Sequence, residues 1–154
     1  MRTLIVRART PAGFERLHEL LLEYELSLPP DLRHGAVLDP DVLPKAYGES
    51  NAAFLALVDG AAAGCIAVTG LDASTAVMKR LYVKPAYRHF GIARALVVAL
   101  IAFARERRYR RVVLDTDRER LNAAYRLYES LGFSDCEPYA AVDYANPTYM
   151  ELRL

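Results

Sequence analysis

The strongest constraint on the fold is a junction in mid-chain where a strand, a short turn and a long helix are predicted to follow one another directly. Met78–Val83 is predicted as a strand that ends before Pro85, and an amphipathic helix is predicted to begin near Gly91. A turn that opens a helix presents unpaired N–H groups and the positive end of the helix dipole, which together bind phosphate. In the sequence R-H-F-G-I-A, Gly91 allows close approach of the backbone and Arg88 adds a positive charge. The string matches neither a Walker loop nor a dinucleotide fingerprint. It therefore predicts an anion site, with an ordinary glycine-containing turn as the alternative.

The remaining elements place this junction in a mixed α/β fold of the α+β class. Upstream, Asp59-Gly60 between two apolar runs is the strongest two-residue hairpin signal, and the junction strand extends this hairpin into a meander. Downstream, a short apolar strand and another helix complete a β-α-β unit, which implies a mixed sheet with helices on both faces. The predicted strands are Thr3–Arg9, Phe54–Val58, Ala63–Thr69, Val77–Val83, Val112–Leu114, Phe133–Glu137 and Thr148–Leu154. The predicted helices cover Phe14–Leu28 before Pro29-Pro30, a short segment near Val42–Tyr47, Gly91–Phe103, and Leu121–Leu131 with Gly132 as its cap.

Composition excludes several classes of protein. The 154 residues are 53% hydrophobic and 25% charged, as in a soluble globular protein, and the length fits one domain over residues 1–154. The longest apolar run, Ala95–Ala104, is about half as long as a membrane span, and the N-terminus lacks a signal-peptide pattern. Cys65 and Cys136 form no Cys/His cluster, which argues against a zinc site or a disulfide scaffold. We therefore expect a cytoplasmic protein with neither a metal nor a membrane partner.

Charge is distributed unevenly along the chain, although the formal net charge is only +1. Residues 11–60 hold nine acids and three Lys/Arg, whereas residues 78–111 hold ten Lys/Arg and one acid. The basic part can attract a polyanion, or its charges can simply solvate surfaces and cap a helix. A nucleic acid is one candidate for the Arg105–Arg111 cluster, but Tyr109 is the only aromatic residue there that could stack on bases. We do not expect a nucleic-acid partner.

Two longer segments carry a resemblance to a known family. MKRLYVKPAYRHFGIARALV (78–97) resembles the acyl-CoA motif of the GNAT superfamily of acyl-CoA-dependent N-acetyltransferases, and AAYRLYESLGF (123–133) is similar to a later segment of that family. The ending EPYAAVDYANPTYMELRL also resembles the closing strands of one subgroup. The resemblance implies a GNAT-like fold with a mixed, mostly antiparallel sheet of six to seven strands, helices on both faces and a splayed parallel strand pair.

The resemblance also implies a site for acetyl-CoA as co-substrate, without a metal. Backbone groups of Leu81, Tyr82 and Val83 would pair with the pantetheine arm. The pyrophosphate would be bound by N–H groups of the turn, whose residues are Arg88, His89, Phe90, Gly91, Ile92 and Ala93.

The chemistry implied is direct attack of an amine on the thioester. Tyr128 occupies the position that the family uses for the general acid to the departing thiolate, with Tyr125 as the competitor, and the Val83 N–H is a candidate to polarise the carbonyl. The sequence departs from the family pattern at Val77, where many relatives carry a glutamate, and at Leu121, where many carry an asparagine; Asn122 is one residue away. The general base is therefore open, with Glu23, Asp72 and Glu49 as unranked candidates.

The acceptor is expected to be a primary amine of a small molecule, an amino acid, or a peptide or protein. In this fold the acceptor side corresponds to residues 20–47 and 138–148, whose acidic and aromatic residues predict a preference for a cationic amine; they are Glu23, Glu25, Asp31, Asp39, Asp41 and Asp143, with Tyr24, Tyr47, Tyr139 and Tyr144. The alternative function is a non-catalytic acyl-CoA-binding or sensor domain. Dimers are common in the family, so a homodimer is a further possibility.

Overall fold

The predicted meander and β-α-β unit belong to one seven-stranded sheet in a computed structural model that describes all 154 residues. The strands are β1 (Thr3–Arg7), β2 (Ala52–Val58), β3 (Ala61–Gly70), β4 (Thr75–Val83), β5 (Arg111–Thr116), β6 (Ser134–Asp135) and β7 (Thr148–Arg153). Their order in the sheet is β1-β2-β3-β4-β5-β7-β6, and only β4 and β5 run parallel. The predicted mixed, mostly antiparallel sheet is confirmed.

The helices begin and end at the residues that local chemistry favours. They are α1 (Pro11–Ser27), α2 (Leu43–Ala46), α3 (Ile92–Glu106) and α4 (Asn122–Ser130), with 3₁₀ turns at Pro30–Leu32 and Pro85–Tyr87. At the start of α1, the Thr10 hydroxyl accepts a hydrogen bond from the Gly13 N–H at 3.0 Å, as an N-cap does. The helix ends before Pro29, because a proline restricts the preceding residue to extended conformations. None of the helices has the length and apolar character needed to span a membrane.

Two strand boundaries illustrate where sequence patterns succeed and fail. The Asp59-Gly60 turn has φ angles of 49° and 86°, as a two-residue hairpin requires. The predicted strand Phe133–Glu137 is longer than β6, which pairs with β7 over two residues only. β6 is an edge strand, and Pro138 just after the predicted strand has no N–H to continue the ladder.

Each face of the sheet has its own hydrophobic core. On one face α3 and α4 pack with Leu96, Leu100 and Phe133 among the buried residues. On the other face α1 and α2 pack with Leu17 and Leu43. Full burial of a leucine side chain stabilises the fold by about 1.5–3 kcal/mol. Helices on both faces, as predicted, are confirmed.

Candidate active site

β4 and β5 are paired over only part of their length. Thr75–Val77 pairs with Arg111–Val113, but β4 continues to Val83 and β5 to Thr116 without pairing to each other. A cavity of about 690 Å³ lies at this gap and is lined from both faces of the sheet, by Tyr24 and His34 on the α1 side and by residues of α3 and α4 on the other. The predicted splayed parallel pair is therefore present.

The β4 edge at this gap carries free backbone groups. The Lys84 N–H donates to the Ala63 carbonyl of β3 at 2.8 Å, and successive residues of a strand direct their backbone groups to opposite sides. The groups of Val83 therefore face the gap, and those of Tyr82, which is paired with Cys65, face β3. The Val83 carbonyl accepts a hydrogen bond from Arg88 Nε at 3.0 Å. The Val83 N–H is therefore the backbone group of this residue that remains free at the cavity.

The turn before α3 presents a run of unpaired N–H groups. No backbone carbonyl accepts from residues 89–94, and the first bond of the helix runs from the Ala95 N–H to the Gly91 carbonyl at 3.1 Å; no side chain caps this helix. His89 and Gly91 have φ angles of 69° and 76°, which turn the chain into the helix. The predicted run began at Arg88, whose N–H instead donates to the Pro85 carbonyl at 3.3 Å within a 3₁₀ turn. The free run is therefore His89–Arg94.

Tyr128 lies on α4 with its side chain in the wall of the cavity. Only 8% of the residue is exposed, and its ring packs against Phe133 at 6.0 Å between centroids. Its hydroxyl makes no hydrogen bond within the chain, in contrast to those of Tyr125 and Tyr149. Burial raises the pKa of Tyr128 well above the usual value, and nearby Tyr24 and Asp115 raise it further. The side chain therefore keeps its proton at neutral pH.

Tyr125, the competing candidate, points elsewhere. Its hydroxyl donates to Asp135 Oδ1 at 3.1 Å, the Arg118 guanidinium lies 4.7 Å above its ring, and it is not among the residues that line the cavity. Of the two tyrosines, only Tyr128 faces the gap.

Asp115 is a site residue that the sequence analysis missed. It lies on β5 beyond the last pair with β4 and is the only acidic residue that lines the cavity. Its carboxylate accepts hydrogen bonds from the Tyr139 hydroxyl at 3.0 Å and from the Tyr144 hydroxyl at 2.8 Å. The available signal was its position directly after the apolar run Val112–Leu114, where a charged residue marks the carboxyl end of a predicted buried strand.

The three carboxylates first considered as general base lie outside the cavity. Glu23 is exposed and lies 3.7 Å from Lys84 Nζ. Asp72 accepts from the N–H groups of Ser74 and Thr75, both at 2.8 Å. Glu49 is an exposed loop residue whose backbone carbonyl accepts from Arg7.

The two departures from the family pattern also have a structural context. Val77 is the last residue of β4 that pairs with β5 and does not line the cavity. Leu121 and Asn122 both line it, but the Asn122 side chain is engaged locally, since its Oδ1 accepts from Arg126 Nε at 2.9 Å.

Cations outnumber acids in the cavity wall. The wall contains one acidic residue, Asp115, and five cationic residues, which are Lys79, Arg80, Arg88, Arg94 and Arg120. Arg120 is neutralised by two carboxylates, Asp31 at 2.8 Å and Asp117 at 2.7 Å. None of the six acids first assigned to the acceptor rim lines this cavity. No group of three or more His, Cys, Asp or Glu side chains is arranged to hold a metal ion.

The gap in the sheet and the open helix N-terminus beside it are features that the resemblance implies for an acyl-CoA-dependent N-acetyltransferase. The chain belongs to the acetyltransferase (GNAT) family, whose sequence model matches residues 6–133. This confirms the predicted family and the assignment as an acyltransferase.

Similar proteins extend over nearly the whole chain. An uncharacterized N-acetyltransferase of Schizosaccharomyces pombe is 33% identical, covering 97% of this chain and 94% of that protein. The uncharacterized N-acetyltransferase YsnE of Bacillus subtilis is 30% identical, covering 91% of this chain and 88% of that protein. The structure of yncA of Salmonella typhimurium, solved with its cofactor acetyl-CoA, superposes with a TM-score of 0.81 at 21% identity, covering 98% of this chain and 93% of that chain. This last likeness confirms the GNAT fold.

Proposed function

We propose that the chain transfers an acetyl group from acetyl-CoA to a primary amine of a small molecule, an amino acid, or a peptide or protein. The observation that carries the proposal is the run of unpaired N–H groups at residues 89–94 next to the gap between β4 and β5. Such a run at a helix N-terminus binds phosphate oxygens. The free edge of β4 offers backbone groups to an amide-containing chain, as an exposed strand edge does.

The residues present fit acetyl-CoA. Its pyrophosphate suits the N–H groups of His89–Arg94, and Arg88 and Arg94 add positive charge in the same wall. Its pantetheine amides suit the edge of β4 beyond Val77, which is not paired with β5 and includes Leu81. When bound, it supplies a thioester carbonyl carbon that an amine nitrogen can attack.

Four groups of the chain have roles in the transfer. The Val83 N–H donates to the carbonyl oxygen as negative charge develops there. Asp115 takes the proton that the amine nitrogen loses as the new C–N bond forms, and the Tyr128 hydroxyl gives its proton to the sulfur as the C–S bond breaks. Transfer of a proton from Asp115 to the Tyr128 phenolate through water restores both side chains, and the products are an N-acetyl amide and a free thiol. The helix dipole of α3 favours the anionic end of the co-substrate.

Calorimetric titration with acetyl-CoA at two salt concentrations tests the proposal. We expect binding that weakens as salt rises, because the contacts are between cations or N–H dipoles and phosphates. We then expect release of thiol when a panel of primary amines is added. Absence of acetyl-CoA binding at both salt concentrations would contradict the proposal.

The alternative is a non-catalytic acyl-CoA-binding or sensor domain. Binding of acetyl-CoA without transfer to any amine, including peptide amines, would favour it. A cavity wall that carries both a protonated Tyr128 and a carboxylate, Asp115, supports the enzyme instead.

The proposal also includes one domain over residues 1–154, a cytoplasmic location and, as an option, a homodimer. A nucleic-acid partner is not part of it, because two members of the Arg105–Arg111 cluster have structural contacts. The Arg107 guanidinium lies 4.9 Å from the Phe103 ring centroid, and Arg111 donates to Thr75 Oγ1 at 3.2 Å. Light scattering during size-exclusion chromatography tests the dimer.

A further inference from the structure

We propose that the acceptor carries a carboxylate close to its amine, and that Arg80 binds this carboxylate. The inference rests on the acetyl transfer proposed above and names its substrate class, an amino-acid-like acceptor in place of the cationic amine that the composition of the rim predicted.

Arg80 occupies a position that a β-bulge creates. Cys65 pairs with Tyr82 and Ala67 pairs with Lys79, so that one residue of β3 faces both Arg80 and Leu81. Arg80 has a φ of 60°, which is uncommon for a residue with a β-carbon, and backbone strain of this kind is concentrated at binding sites. The bulge brings the Arg80 side chain into the wall of the main cavity, where it also borders a smaller cavity of about 80 Å³.

The Arg80 guanidinium has no acidic partner within the chain. None of the seven ion pairs includes Arg80 or its neighbour Lys79, although both are half-buried and line the main cavity. Burial lowers the pKa of Lys79, and the positive charge of Arg80 lowers it further. A cation that is partly removed from water without a counter-ion is costly, so this wall is complementary to an anion.

Nearby acids are already engaged. Glu25 Oε1 lies 3.0 Å from His34 Nδ1, and Asp31 accepts two hydrogen bonds from Arg120, both at 2.8 Å. Asp115 forms no ion pair with Arg80, and the two neutral hydroxyls that it accepts from leave its negative charge uncompensated. The carboxylate that pairs with Arg80 is therefore expected to come from outside the chain.

The arrangement of charges in the cavity suits an acceptor that carries both an amine and a carboxylate. Asp115 lies on β5 and Arg80 on β4, beyond the last pair between these strands, and both line the same cavity. An acceptor with its ammonium group near Asp115 and its carboxylate on the planar Arg80 guanidinium satisfies both charges. The ammonium loses one proton to water before the neutral nitrogen attacks, and Asp115 takes the second as the C–N bond forms. A simple amine would leave Arg80 unpaired.

The experiment compares matched acceptors on the full-length chain. Each proteinogenic L-amino acid is assayed beside its carboxamide and its decarboxylated amine, with acetyl-CoA saturating, by thiol release and mass detection of the N-acetyl product. We expect the best amino acid to exceed its own amide and amine in kcat/KM by about tenfold or more.

Substitutions then assign the preference to Arg80. Arg80→Asn suits the positive φ, because asparagine tolerates the left-handed region. It is expected to lower kcat/KM for the amino acid about tenfold more than kcat/KM for its amide, so that the preference for the carboxylate is lost. Arg80→Lys should retain part of the preference. Arg108→Asn is the matched control, since Arg108 is exposed and has a φ of 63° but does not line the cavity.

The outcomes separate this inference from the proposed function. Transfer to amides and simple amines at rates equal to those of the amino acids would overturn the role assigned to Arg80 but not the proposed function. An equal loss of kcat/KM for all three kinds of acceptor in Arg80→Asn would have the same consequence. Failure to bind acetyl-CoA, or binding with no transfer to any acceptor, would overturn the proposed function and this inference with it. Calorimetry of N-acetyl amino acids and their amides with wild type and Arg80→Asn gives a second readout that is independent of turnover.

Discussion

At the scale of single residues, Tyr128 and Tyr125 show how one helical turn separates two similar side chains. Tyr128 lines the cavity at the gap between β4 and β5, whereas the Tyr125 hydroxyl donates to Asp135 on the edge strand β6. Of these two tyrosines, only Tyr128 is therefore placed for the proposed proton transfer to sulfur, and burial raises its pKa.

Tyr128→Phe is expected to lower kcat by about 10²-fold or more, the usual contribution of a general acid, with little change in the affinity for acetyl-CoA. Tyr125→Phe is the matched control, because it removes one hydroxyl from the same helix outside the cavity. Steady-state kinetics with calorimetric titration of both variants checks the expectation. Equal kcat values for the two variants would mean that Tyr128 is a packing residue.

At the scale of secondary-structure elements, the start of α3 determines how the turn presents its N–H groups. Gly91 is the residue before the helix, with a φ of 76°, and a β-carbon built there would meet no protein atom within 4 Å. Glycine is therefore favoured here by the backbone conformation rather than by packing.

Gly91→Ala is expected to destabilise the fold by about 1 kcal/mol, because alanine is disfavoured in the left-handed region, and to weaken acetyl-CoA binding about tenfold. Gly35→Ala is the matched control: Gly35 has a φ of 94°, an equally open environment and a place in the loop after the first 3₁₀ turn. Denaturant unfolding should show a similar loss of stability for both variants. Calorimetric titration should show a loss of affinity for acetyl-CoA for Gly91→Ala only. A parallel loss of affinity in Gly35→Ala would count against a specific role of the turn.

At the scale of the whole molecule, two tyrosines of the cavity wall, Tyr24 and Tyr128, and two that donate to Asp115, Tyr139 and Tyr144, are expected to make the fold sensitive to alkali. Burial raises the pKa of Tyr24 to about 12 and, as the largest cause, also raises the pKa of Tyr128, Tyr139 and Tyr144. In the unfolded chain these groups ionise near pH 10. Above that pH the unfolded state therefore loses protons that the folded state keeps.

The free energy of unfolding is thus expected to fall as the pH rises above about 10, by about 1.4 kcal/mol per pH unit for each fully buried tyrosine. The fall for each tyrosine ends when the pH reaches the folded-state pKa of that group. Thermal melts between pH 8 and 12, followed together with tyrosinate absorbance, check this. Tyr128→Phe should make the fall less steep. A melting temperature that stays constant to pH 12, with no delayed tyrosinate signal, would contradict it.

Much of the fold follows from local patterns in the sequence. The Asp59-Gly60 hairpin, the proline that ends α1 and the junction before α3 depend on backbone conformations that a few neighbouring residues impose, and each is present as predicted. Tyr128 could be named as a candidate because the segment 123–133 resembles the family's later motif, in which a tyrosine stands at this position.

The tertiary structure alone decided the rest of the candidate site. The gap exists because β4 and β5 pair over three residues and then separate, and Arg80 faces the cavity because a bulge shifts the register against β3. Asp115 meets Tyr139 and Tyr144 across 24 and 29 positions of the chain. Register and long-range contacts of this kind depend on the packing of the whole sheet. The sequence by itself therefore determined the family, most of the elements and the turn that is proposed to bind phosphate, whereas the charges proposed to meet the acceptor were decided by how the strands separate.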